Sequence, residues 1–490
     1  MKLFDASQIR AWDAYTIAHE PISSLDLMER AARACFEWIL ARFDGPFYIF
    51  CGKGNNGGDG LALARLLLVL RLPVRVYILE FGHSGTEDFQ ANLTRLHSLT
   101  PDIHFIQTSE AFPSLPASAI VVDALLGTGV NRPLEGLTAA LVGYLNGAGR
   151  PIIALDLPSG LRADEPSGGE VVRATHTLTL GEWKLALMMA ENAPFFGETH
   201  LLPIGLSATY DASTELFVTE LPEARSYYRP RSAFSHKGNF GHALLAAGGT
   251  GKMGACVLAS KGCLRSGVGL LTDLVPPAGV DIIQVSVPEA MALTDLAAVD
   301  ASVYKAFGIG PGLGMGALGV LEHLLSIAPY PVVIDADAIN LLGANPALWE
   351  KVPPHSILTP HPKEFERLFG AVGDDFAQMR LAMEQAVSRG CIIVLKGHRT
   401  LVACPDGTGH FNTTGNAGMA TGGSGDVLTG IITGLLTQGY GPREAAILGV
   451  YLHGLSGDLA LREQSMESLL ASGIAEGLGA AYKYLAGESL

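Results

Sequence analysis

The chain has 490 residues, of which 48 % are hydrophobic and only 17 % are charged. This composition excludes an intrinsically disordered protein, and the length predicts two domains of roughly 200 to 280 residues. The net charge of −15 at pH 7 excludes a general nucleic-acid-binding protein, so an anionic ligand needs a local site such as a helix N-terminus.

The N-terminal sequence and the spacing of the cysteines exclude further classes of protein. The opening residues, MKLFDASQIRAWDAYT, include acidic side chains and lack the apolar region of a secretory signal. No run of about 18 uncharged apolar residues occurs, so we expect a cytoplasmic protein without a membrane partner. The six cysteines form no CxxC pair, which favours buried reduced thiols over a cysteine zinc site or a disulfide framework.

The first half of the chain alternates strands and helices after two opening helices. Hydrophobic periodicity predicts helices over 6–19, 25–42, 58–70, 88–99 and 134–145. Strands are predicted over 47–51, 74–79, 119–123, 151–155 and 176–180. Such alternation indicates an α/β domain with a mostly parallel sheet between helical layers.

The second half repeats this alternation after a break. Residues 221–232 (LPEARSYYRPRS) contain two prolines and three arginines without apolar periodicity, which is typical of a linker between domains 1–220 and 233–490. Strands are predicted over 242–247, 283–287, 304–307, 331–334, 356–358 and 392–395, with an antiparallel hairpin of 400–403 and 409–412. Helices are predicted over 254–266, 318–327, 427–438 and 444–460.

A glycine-rich stretch, CGKGNNGGDG at 51–60, joins the first strand to its helix. Open α/β sheets bind ligands at such strand ends, and the spacing matches neither a P-loop nor a dinucleotide fingerprint. Asp123 and Asp156 end two further strands, although an aspartate there is often a helix cap or turn former. Asn56, Asp123 and Ser159 offer hard oxygen ligands suited to K⁺ or Mg²⁺.

The stretches GKGNNGGDG, VDALLGTG, LDLPSG and GEWKLAL resemble the NAD(P)H-hydrate epimerase family over roughly residues 5 to 215. The resemblance implies a Rossmann-like fold, epimerisation of the 6R and 6S hydrates, and K⁺ held by Asn56, Asp123 and Ser159. It implies Asp156 as the catalytic acid and base. Substrate contacts are implied for Asn55, Asn56, Gly57, Gly58, Asp59, Gly127, Thr128, Gly129, Val130, Asn131, Arg132, Pro133 and Asp156.

A second glycine-rich stretch, GNAGMATGGSGD at 415–426, precedes a predicted helix. Its consecutive backbone N–H groups at a helix N-terminus suit a phosphoryl group in transfer. Asp426 then has the place of a base for a hydroxyl proton, with helix capping as the alternative. KGHRT at 396–400 suits nucleotide phosphates but is equally typical of a solvated turn, and His361 before a proline is typical of a turn.

The stretches ALLAAGGTGKMGA, GIGPGLG, VIDADAIN, LTPHPKEFERL, VLKGHRT and NAGMATGGSGDVLTG resemble the ADP-dependent NAD(P)H-hydrate dehydratase family over residues 232 to 465. That family has a ribokinase-like fold. The resemblance implies hydrate contacts from Ala255, Gly312, His361 and Asp426, with Asp426 as the catalytic base. Nucleotide contacts are implied for Lys396, Gly397, His398, Arg399, Thr400, Asn416, Met419, Thr421, Gly422, Gly423, Ser424 and Gly425.

Two departures from the dehydratase pattern leave its chemistry in place. The usual Asn-Pro-Gly is Asn416-Ala417-Gly418 here, and the usual Thr is Ser424. Neither change removes a backbone amide or the Asp426 carboxylate.

Together these patterns predict a bifunctional repair enzyme with a Rossmann-like and a ribokinase-like three-layer domain. Its ligands are NAD(P)H hydrate, ADP with ATP as the alternative, Mg²⁺ and K⁺, and its large apolar helices favour a homo-oligomer. One alternative is a ribokinase-like small-molecule kinase whose N-terminal half is a non-catalytic binding module. The sequence leaves open the choice between NADH and NADPH hydrate and direct transfer between the two sites.

Overall fold

A computed structural model describes residues 1–100 and 102–488. The chain divides into two compact units, an N-terminal unit of residues 2–214 with 374–376 and a C-terminal unit of Met1, 215–373 and 377 onward. Within the described residues, no helix is long and apolar enough to cross a membrane.

The N-terminal unit contains six helices and seven strands among its described residues. The helices are α1 Ala6–His19, α2 Ser24–Leu40, α3 Asn55–Val69, α4 Glu87–His97, α5 Gly136–Gly147 and α6 Ala193–Phe196. The strands are β1 Phe47–Cys51, β2 Val74–Leu79, β3 Ile103–Ile106, β4 Ile120–Ala124, β5 Ile152–Leu155, β6 His176–Leu180 and β7 Glu198–Leu202.

These seven strands form one parallel sheet in the order β3-β2-β1-β4-β5-β6-β7. Every residue of β1 is buried, because successive side chains point to opposite faces and both faces are covered. Ile49 packs with α2 and α3 on one face, and Phe50 packs with α5 on the other. The predicted Rossmann-like three-layer arrangement is confirmed.

The C-terminal unit is built around a larger sheet. Its helices are α7 Leu221–Tyr227, α8 Met253–Arg265, α9 Val280–Ser286, α10 Leu318–Ile327, α11 Ala336–Ala344, α12 Pro362–Phe369, α13 Asp375–Arg389, α14 Ser424–Thr437, α15 Pro442–Ala460 and α16 Ala471–Leu485, with α13 beginning inside the three residues grouped with the other unit. Its strands are β8 Leu216–Thr219, β9 His242–Ala246, β10 Leu270–Leu274, β11 Met291–Leu293, β12 Ala306–Ile309, β13 Val333–Ile334, β14 Ile357–Leu358, β15 Ile392–Leu395, β16 Leu401–Ala403 and β17 Gly409–Asn412.

The ten strands lie in the order β11-β10-β9-β12-β13-β14-β15-β16-β17-β8. The strands from β11 to β15 run parallel, and β15, β16 and β17 pair antiparallel, which confirms the predicted hairpin. The main hydrophobic core places α14, α15 and α16 against one face of the sheet. The predicted α/β class and ribokinase-like fold are confirmed for this half.

The boundary between the units differs from the predicted linker at 221–232. The apolar β-branched strand β8 pairs with β17 and so belongs to the C-terminal sheet, although it was placed in domain 1–220. Leu221–Tyr227 form helix α7, with Ala224 fully buried in the C-terminal core, so much of the segment is structured. The chain therefore passes between units at 214/215.

The strand predicted over 283–287 was wrong. These residues lie in helix α9 and the residue after it, and only Ile283 of the helix is buried. The sheet position beside β9 is taken by β10, which periodicity did not identify. Tertiary pairing thus overrode the β-branched propensity of this run.

Candidate active sites

A cavity of about 450 Å³ opens in the N-terminal unit at the carboxyl ends of β1, β4 and β5. The first turn of α3 lines this cavity. The helix begins three residues earlier than predicted, because Gly54 serves as its N-cap. Seven of the predicted epimerase residues line this cavity: Asn55, Asn56, Asp59, Gly127, Thr128, Gly129 and Asp156.

Asp156 stands at the cavity wall in an uncommon backbone conformation, with φ of +65°. Its Oδ1 forms an ion pair with Lys184 Nζ at 2.6 Å, and Lys184 is only 2 % exposed. A second donation from Lys184 Nζ to the Leu180 carbonyl at 2.6 Å fixes the ammonium group. A Cβ atom at Gly127 would lie 3.1 Å from Asp156 Oδ2, so this glycine leaves the second oxygen room for a ligand.

Two further carboxylates surround this pair. Burial, and then the charge of nearby Asp156, raise the pKa of Asp13 to about 6. Burial, followed by Asp156 and Asp13, holds the pKa of Asp59 well above its usual range. With Asp88, the cavity thus gathers four carboxyl groups and one buried lysine, which favours binding a proton or a cation there.

Asp123 and Ser159 meet just beneath the cavity. Ser159 donates to Asp123 through its hydroxyl at 2.6 Å and its backbone N–H at 2.8 Å. Burial raises the pKa of Asp123 to about 6, although these hydrogen bonds oppose the shift. Within the described chain, both side-chain polar atoms of Asn56 are buried and have no hydrogen-bond partner. An amide left in this state calls for a ligand, because burying it unpaired costs about 1–3 kcal/mol.

The other predicted epimerase residues do not line this cavity. Gly57 and Gly58 serve close packing, since a Cβ at Gly57 would lie 1.8 Å from the Gly52 carbonyl oxygen and one at Gly58 2.7 Å from Met28 Sδ. The remaining four lie on the loop that leads to α5: Val130, Asn131, Arg132 and Pro133.

Sequence reasoning missed two residues of this site. Lys184 lies in the stretch GEWKLAL, which carries part of the resemblance to the epimerase family, but no role was predicted for this lysine. Asp13 lies on α1, where an aspartate in a helix gives no signal of its own. The buried lysine in an otherwise apolar run was the available signal, because a lysine is almost never fully buried unless it is paired.

The C-terminal unit contains a cavity of about 710 Å³ between the ends of β13 to β15 and the N-terminus of α14. Eleven predicted dehydratase residues line it: His361, Lys396, Gly397, His398, Thr400, Asn416, Met419, Gly423, Ser424, Gly425 and Asp426. Five others do not: Ala255, Gly312, Arg399, Thr421 and Gly422.

The start of α14 follows from Gly423. This residue has φ of +94°, and a Cβ there would lie 2.3 Å from Leu258 Cδ1, so only glycine fits. The helix begins at Ser424, three residues earlier than predicted, and Asp426 lies in its first turn. The first N–H groups of a helix have no intrahelical partner, so they are available to an anion in the cavity.

Lys396 is held beside this helix terminus. Its Nζ lies 2.9 Å from Asp335 Oδ1 and 3.9 Å from Glu364 Oε2, and a Cβ at Gly425 would lie 3.2 Å from it. Asp335 is 1 % exposed and also accepts hydrogen bonds from Thr359 at 2.7 Å and Thr429 at 2.8 Å. This network fixes the ammonium group at the floor of the cavity.

Asp426 is poised to exchange a proton near neutral pH. Burial is the main cause that raises its pKa to about 7, followed by the charge of Asp335. Lys396 acts in the opposite direction, while Asp337 and Glu364 add to the rise. A carboxyl group with this pKa is suited to general base catalysis at physiological pH.

Three histidines line the cavity: His361, His398 and His453. His361 is the N-cap of α12, with Nδ1 accepting from the Lys363 and Glu364 amides, and not the turn residue that its place before a proline suggested. His453 Nε2 lies 3.0 Å from the Ser424 carbonyl oxygen, and burial lowers the pKa of this histidine to about 4. His398 also lines the cavity, and burial lowers its pKa.

Asp458 and His453 both lie on α15, which sequence reasoning left without functional residues. Asp458 accepts hydrogen bonds from the Gly415 amide at 2.8 Å and from Asn416 Nδ2 at 2.9 Å, which shapes the loop before α14. Their spacing of five residues on an apolar helix gave no sequence signal. Ala255 and Gly312 lie together elsewhere in the unit, because a Cβ at Gly312 would be 3.0 Å from that of Ala255.

Two family models match the chain in succession. The model described as YjeF-related protein N-terminus matches residues 24–186, and the NAD(P)H-hydrate dehydratase model matches residues 243–478. The first match contains the lining loops that follow β1, β4 and β5, and the second contains all the residues that line the C-terminal cavity.

Curated relatives match nearly the whole chain. The bifunctional NAD(P)H-hydrate repair enzyme Nnr of Moorella thermoacetica is 37 % identical, with 96 % of this chain and 94 % of that protein covered. The enzyme of the same name from Escherichia coli is 33 % identical over 91 % of this chain and 87 % of its own length.

Among solved structures, the ADP/ATP-dependent NAD(P)H-hydrate dehydratase of Bacillus subtilis, co-crystallised with ATP and Mg²⁺, is 34 % identical. It covers 56 % of this chain and 100 % of its own length, with a TM-score of 0.49. The extent and identity of the curated matches establish that this chain belongs to the family of bifunctional NAD(P)H-hydrate repair enzymes.

Proposed function

We propose that the chain repairs hydrated NADH and NADPH in two steps. The N-terminal unit interconverts the 6R and 6S hydrates, and the C-terminal unit dehydrates the 6S form while ADP becomes AMP and phosphate. The observation that carries the proposal is Asp426, whose pKa lies near 7 in the first turn of a helix that opens into a 710 Å³ cavity.

In the C-terminal unit, Asp426 accepts the proton of the C6 hydroxyl as its oxygen attacks the terminal phosphorus of the nucleotide. The free N–H groups at the start of α14 and the Lys396 ammonium stabilise the charge on the transferred phosphoryl group. AMP leaves as the phosphoryl group is transferred. The bond between C6 and the phosphorylated oxygen then breaks, phosphate departs, and loss of a proton from C5 forms the C5–C6 double bond of the reduced nicotinamide ring. Each chemical role thus falls to a group already fixed by hydrogen bonds or helix geometry.

The same cavity favours a nucleotide that arrives with Mg²⁺. Asp335, Glu364 and Asp426 all face the space in which the phosphates would lie, against the single ammonium of Lys396. Hard carboxylate oxygens of this kind suit Mg²⁺, which would neutralise the phosphate charge. Asp335 is already engaged by Lys396 and two threonines, so Glu364 and Asp426 are the carboxylates more readily available to the ion or its waters.

In the N-terminal unit, Asp156 serves as the acid and base that exchanges a proton with the hydrated ring. Lys184 pairs with Oδ1 and orients the carboxyl group, which leaves Oδ2 beside Gly127 for the substrate. Asn55, Asp59 and Gly127 to Gly129 complete the walls of the cavity.

K⁺ fits the oxygen groups at the base of this cavity. The amide of Asn56 is buried and unpartnered in the described chain, and Asp123 and Ser159 offer hard oxygen atoms with lone pairs to spare. These three residues would hold K⁺, which supplies positive charge next to a substrate that carries phosphates.

The decisive test is the recovery of reduced-nicotinamide absorbance from a mixture of 6R and 6S NADH hydrate, with purified protein, Mg²⁺, K⁺ and ADP. We expect complete recovery of NADH with one AMP and one phosphate released per hydrate. Recovery that stops once the 6S form is consumed would reduce the N-terminal unit to a binding module. A stable phosphorylated alcohol without NADH would identify a small-molecule kinase instead.

The preference for ADP is tested in the same assay by replacing it with ATP at equal concentration. We expect the higher kcat/KM with ADP. Omitting K⁺ should slow the loss of the 6R hydrate and leave the dehydration of pure 6S hydrate unchanged, since the K⁺ ligands all lie in the N-terminal unit.

A further inference from the structure

A cluster of two histidines and a glutamate lies in the N-terminal unit away from the substrate cavity. His176 begins β6, and Glu198 and His200 lie on the neighbouring strand β7. His176 pairs in register with Glu198, and His200 follows two residues later, so all three side chains point to the same face of the sheet. The other end of β6 reaches the cavity at Leu180, roughly 13 Å away at about 3.3 Å per residue.

The three side chains have the spacing of metal ligands. His176 Nδ1 and His200 Nε2 are 3.3 Å apart, and the Glu198 oxygens lie 3.6 Å and 3.8 Å from these nitrogens. Two ligands on a tetrahedral zinc ion with bonds of about 2.0–2.1 Å lie about 3.3–3.4 Å from each other. The observed separations therefore leave room for an ion after small side-chain adjustments.

The surroundings favour metal binding over a simple histidine pair. The Trp38 ring lies 4.5 Å from the ring of His200 and 5.1 Å from that of His176, which restricts both imidazoles. Glu198 is 68 % exposed, so the fourth coordination position opens to water. Without a metal, the two ring nitrogens can share only one proton between them.

We propose that His176, Glu198 and His200 form a binding site for a divalent transition-metal ion, with Zn²⁺ as the ion that best matches the geometry. The ion joins β6 to β7, which is the last strand of the sheet and pairs on one side only. It serves stability and not catalysis, because the site faces away from the cavity end of β6. Imidazole and carboxylate ligands suit Zn²⁺, Cu²⁺ and Ni²⁺ alike, so the bound species follows metal availability.

The test titrates the metal-free full chain with Zn²⁺ by equilibrium dialysis and with Co²⁺ by visible absorption. We expect one ion per chain, the intense visible bands of tetrahedral Co²⁺, and quenching of Trp38 fluorescence by Cu²⁺. Saturating Zn²⁺ at about a hundred times its Kd should raise the thermal midpoint of the N-terminal unit by about 5–10 °C. Epimerase and dehydratase rates should not change.

Variants decide the assignment. His200→Gln should weaken Zn²⁺ binding at least about tenfold and abolish the cobalt bands. His104→Gln is the matched control, because His104 lies on β3 at the opposite edge of the same sheet and pairs with only one carboxylate, Asp102. Unchanged epimerase activity shows that each variant is folded. Absence of stoichiometric Zn²⁺ binding to the wild type, or equal binding by His200→Gln, would overturn the proposal.

Discussion

Replacing Asp426 tests the catalytic base of the C-terminal site. Burial raises its pKa from the ordinary 3.8 to about 7, so the site disfavours the charged form by about 4 kcal/mol. Below pH 7 the ionised fraction falls about tenfold per unit, to about 1 % at pH 5. We therefore expect kcat/KM for 6S hydrate to rise tenfold per pH unit up to about pH 7 and then level off.

Asp426→Asn should lower kcat by about 10²–10⁴-fold and remove the acidic limb of the profile. The assay is NADH formation from pure 6S hydrate at saturating ADP between pH 5 and 9. The variant's folding is checked by its stability. Because the folded-state pKa of Asp426 is raised, its contribution to stability is lost as pH rises from about 4 to 7, so the Asn variant should be the more stable protein at pH 8.

A second variant tests the electrostatic reasoning itself. Glu364→Gln removes a charge that raises the pKa of Asp426, while an amide oxygen still caps α12 by accepting from the His361 N–H. The acidic limb should move to lower pH, whereas Asp300→Asn on the exposed surface should leave it in place. A profile of Asp426→Asn that keeps the wild-type limb, with near-wild-type kcat, would refute the assignment of the base.

Three more predictions follow from the two sites. Lys184→Met should lower the epimerisation rate at least about 10²-fold, because Asp156 loses its only ion pair in the described chain. Dehydration of pure 6S hydrate by the same protein is the control, and an unchanged epimerisation rate would contradict the role of the ion pair. Gly423→Ala should lower the free energy of unfolding, measured in urea, by about 1–2 kcal/mol for its positive φ and by about 1–3 kcal/mol more for the contact with Leu258. Gly407 has φ of +84° and open space around it, so Gly407→Ala should lose only the first of these amounts. Asp59→Asn should slow epimerisation. It should also raise the thermal midpoint at pH 8 but not at pH 4, because a carboxyl group with a raised pKa in the folded state costs stability as pH rises. A midpoint that falls at pH 8 would contradict the direction of this pKa shift.

The sequence predicted most elements that periodicity can specify. The bounds of α1, β1, β2, β6 and β15 agree with the structure to the residue. Short strands such as β3, β10 and β11 were missed, because three to five residues carry too little alternation to be recognised. The run at 283–287 was assigned to the wrong class because its apolar β-branched residues favour a strand, whereas the strand that pairs with β9 is β10 and the run itself lies in α9.

The residues of the two candidate sites could also be predicted only in part. Residues in contiguous motifs, such as Asp426 and Asn56, could be identified from the chain because glycines around them leave few other interpretations. Asp13 and His453 contribute through side chains that come from distant elements, and no local pattern marks them, whereas Lys184 was marked only as a lysine within GEWKLAL. Hydrophobic periodicity also could not predict the early starts of α3 and α14, because glycines in the first turn conceal a helix that tertiary packing stabilises.

Helix α14 is buried from Val427 to Thr437, and its less buried first turn carries Asp426, the carboxylate that we propose as the base. The amide hydrogens of this buried stretch can therefore exchange with solvent only when the C-terminal unit opens globally, whereas the first N–H groups of the helix face the cavity. The turn that positions Asp426 is thus continuous with a segment that unfolds only together with the unit. Loss of dehydratase activity on heating should coincide with the cooperative unfolding of the unit and should not precede it.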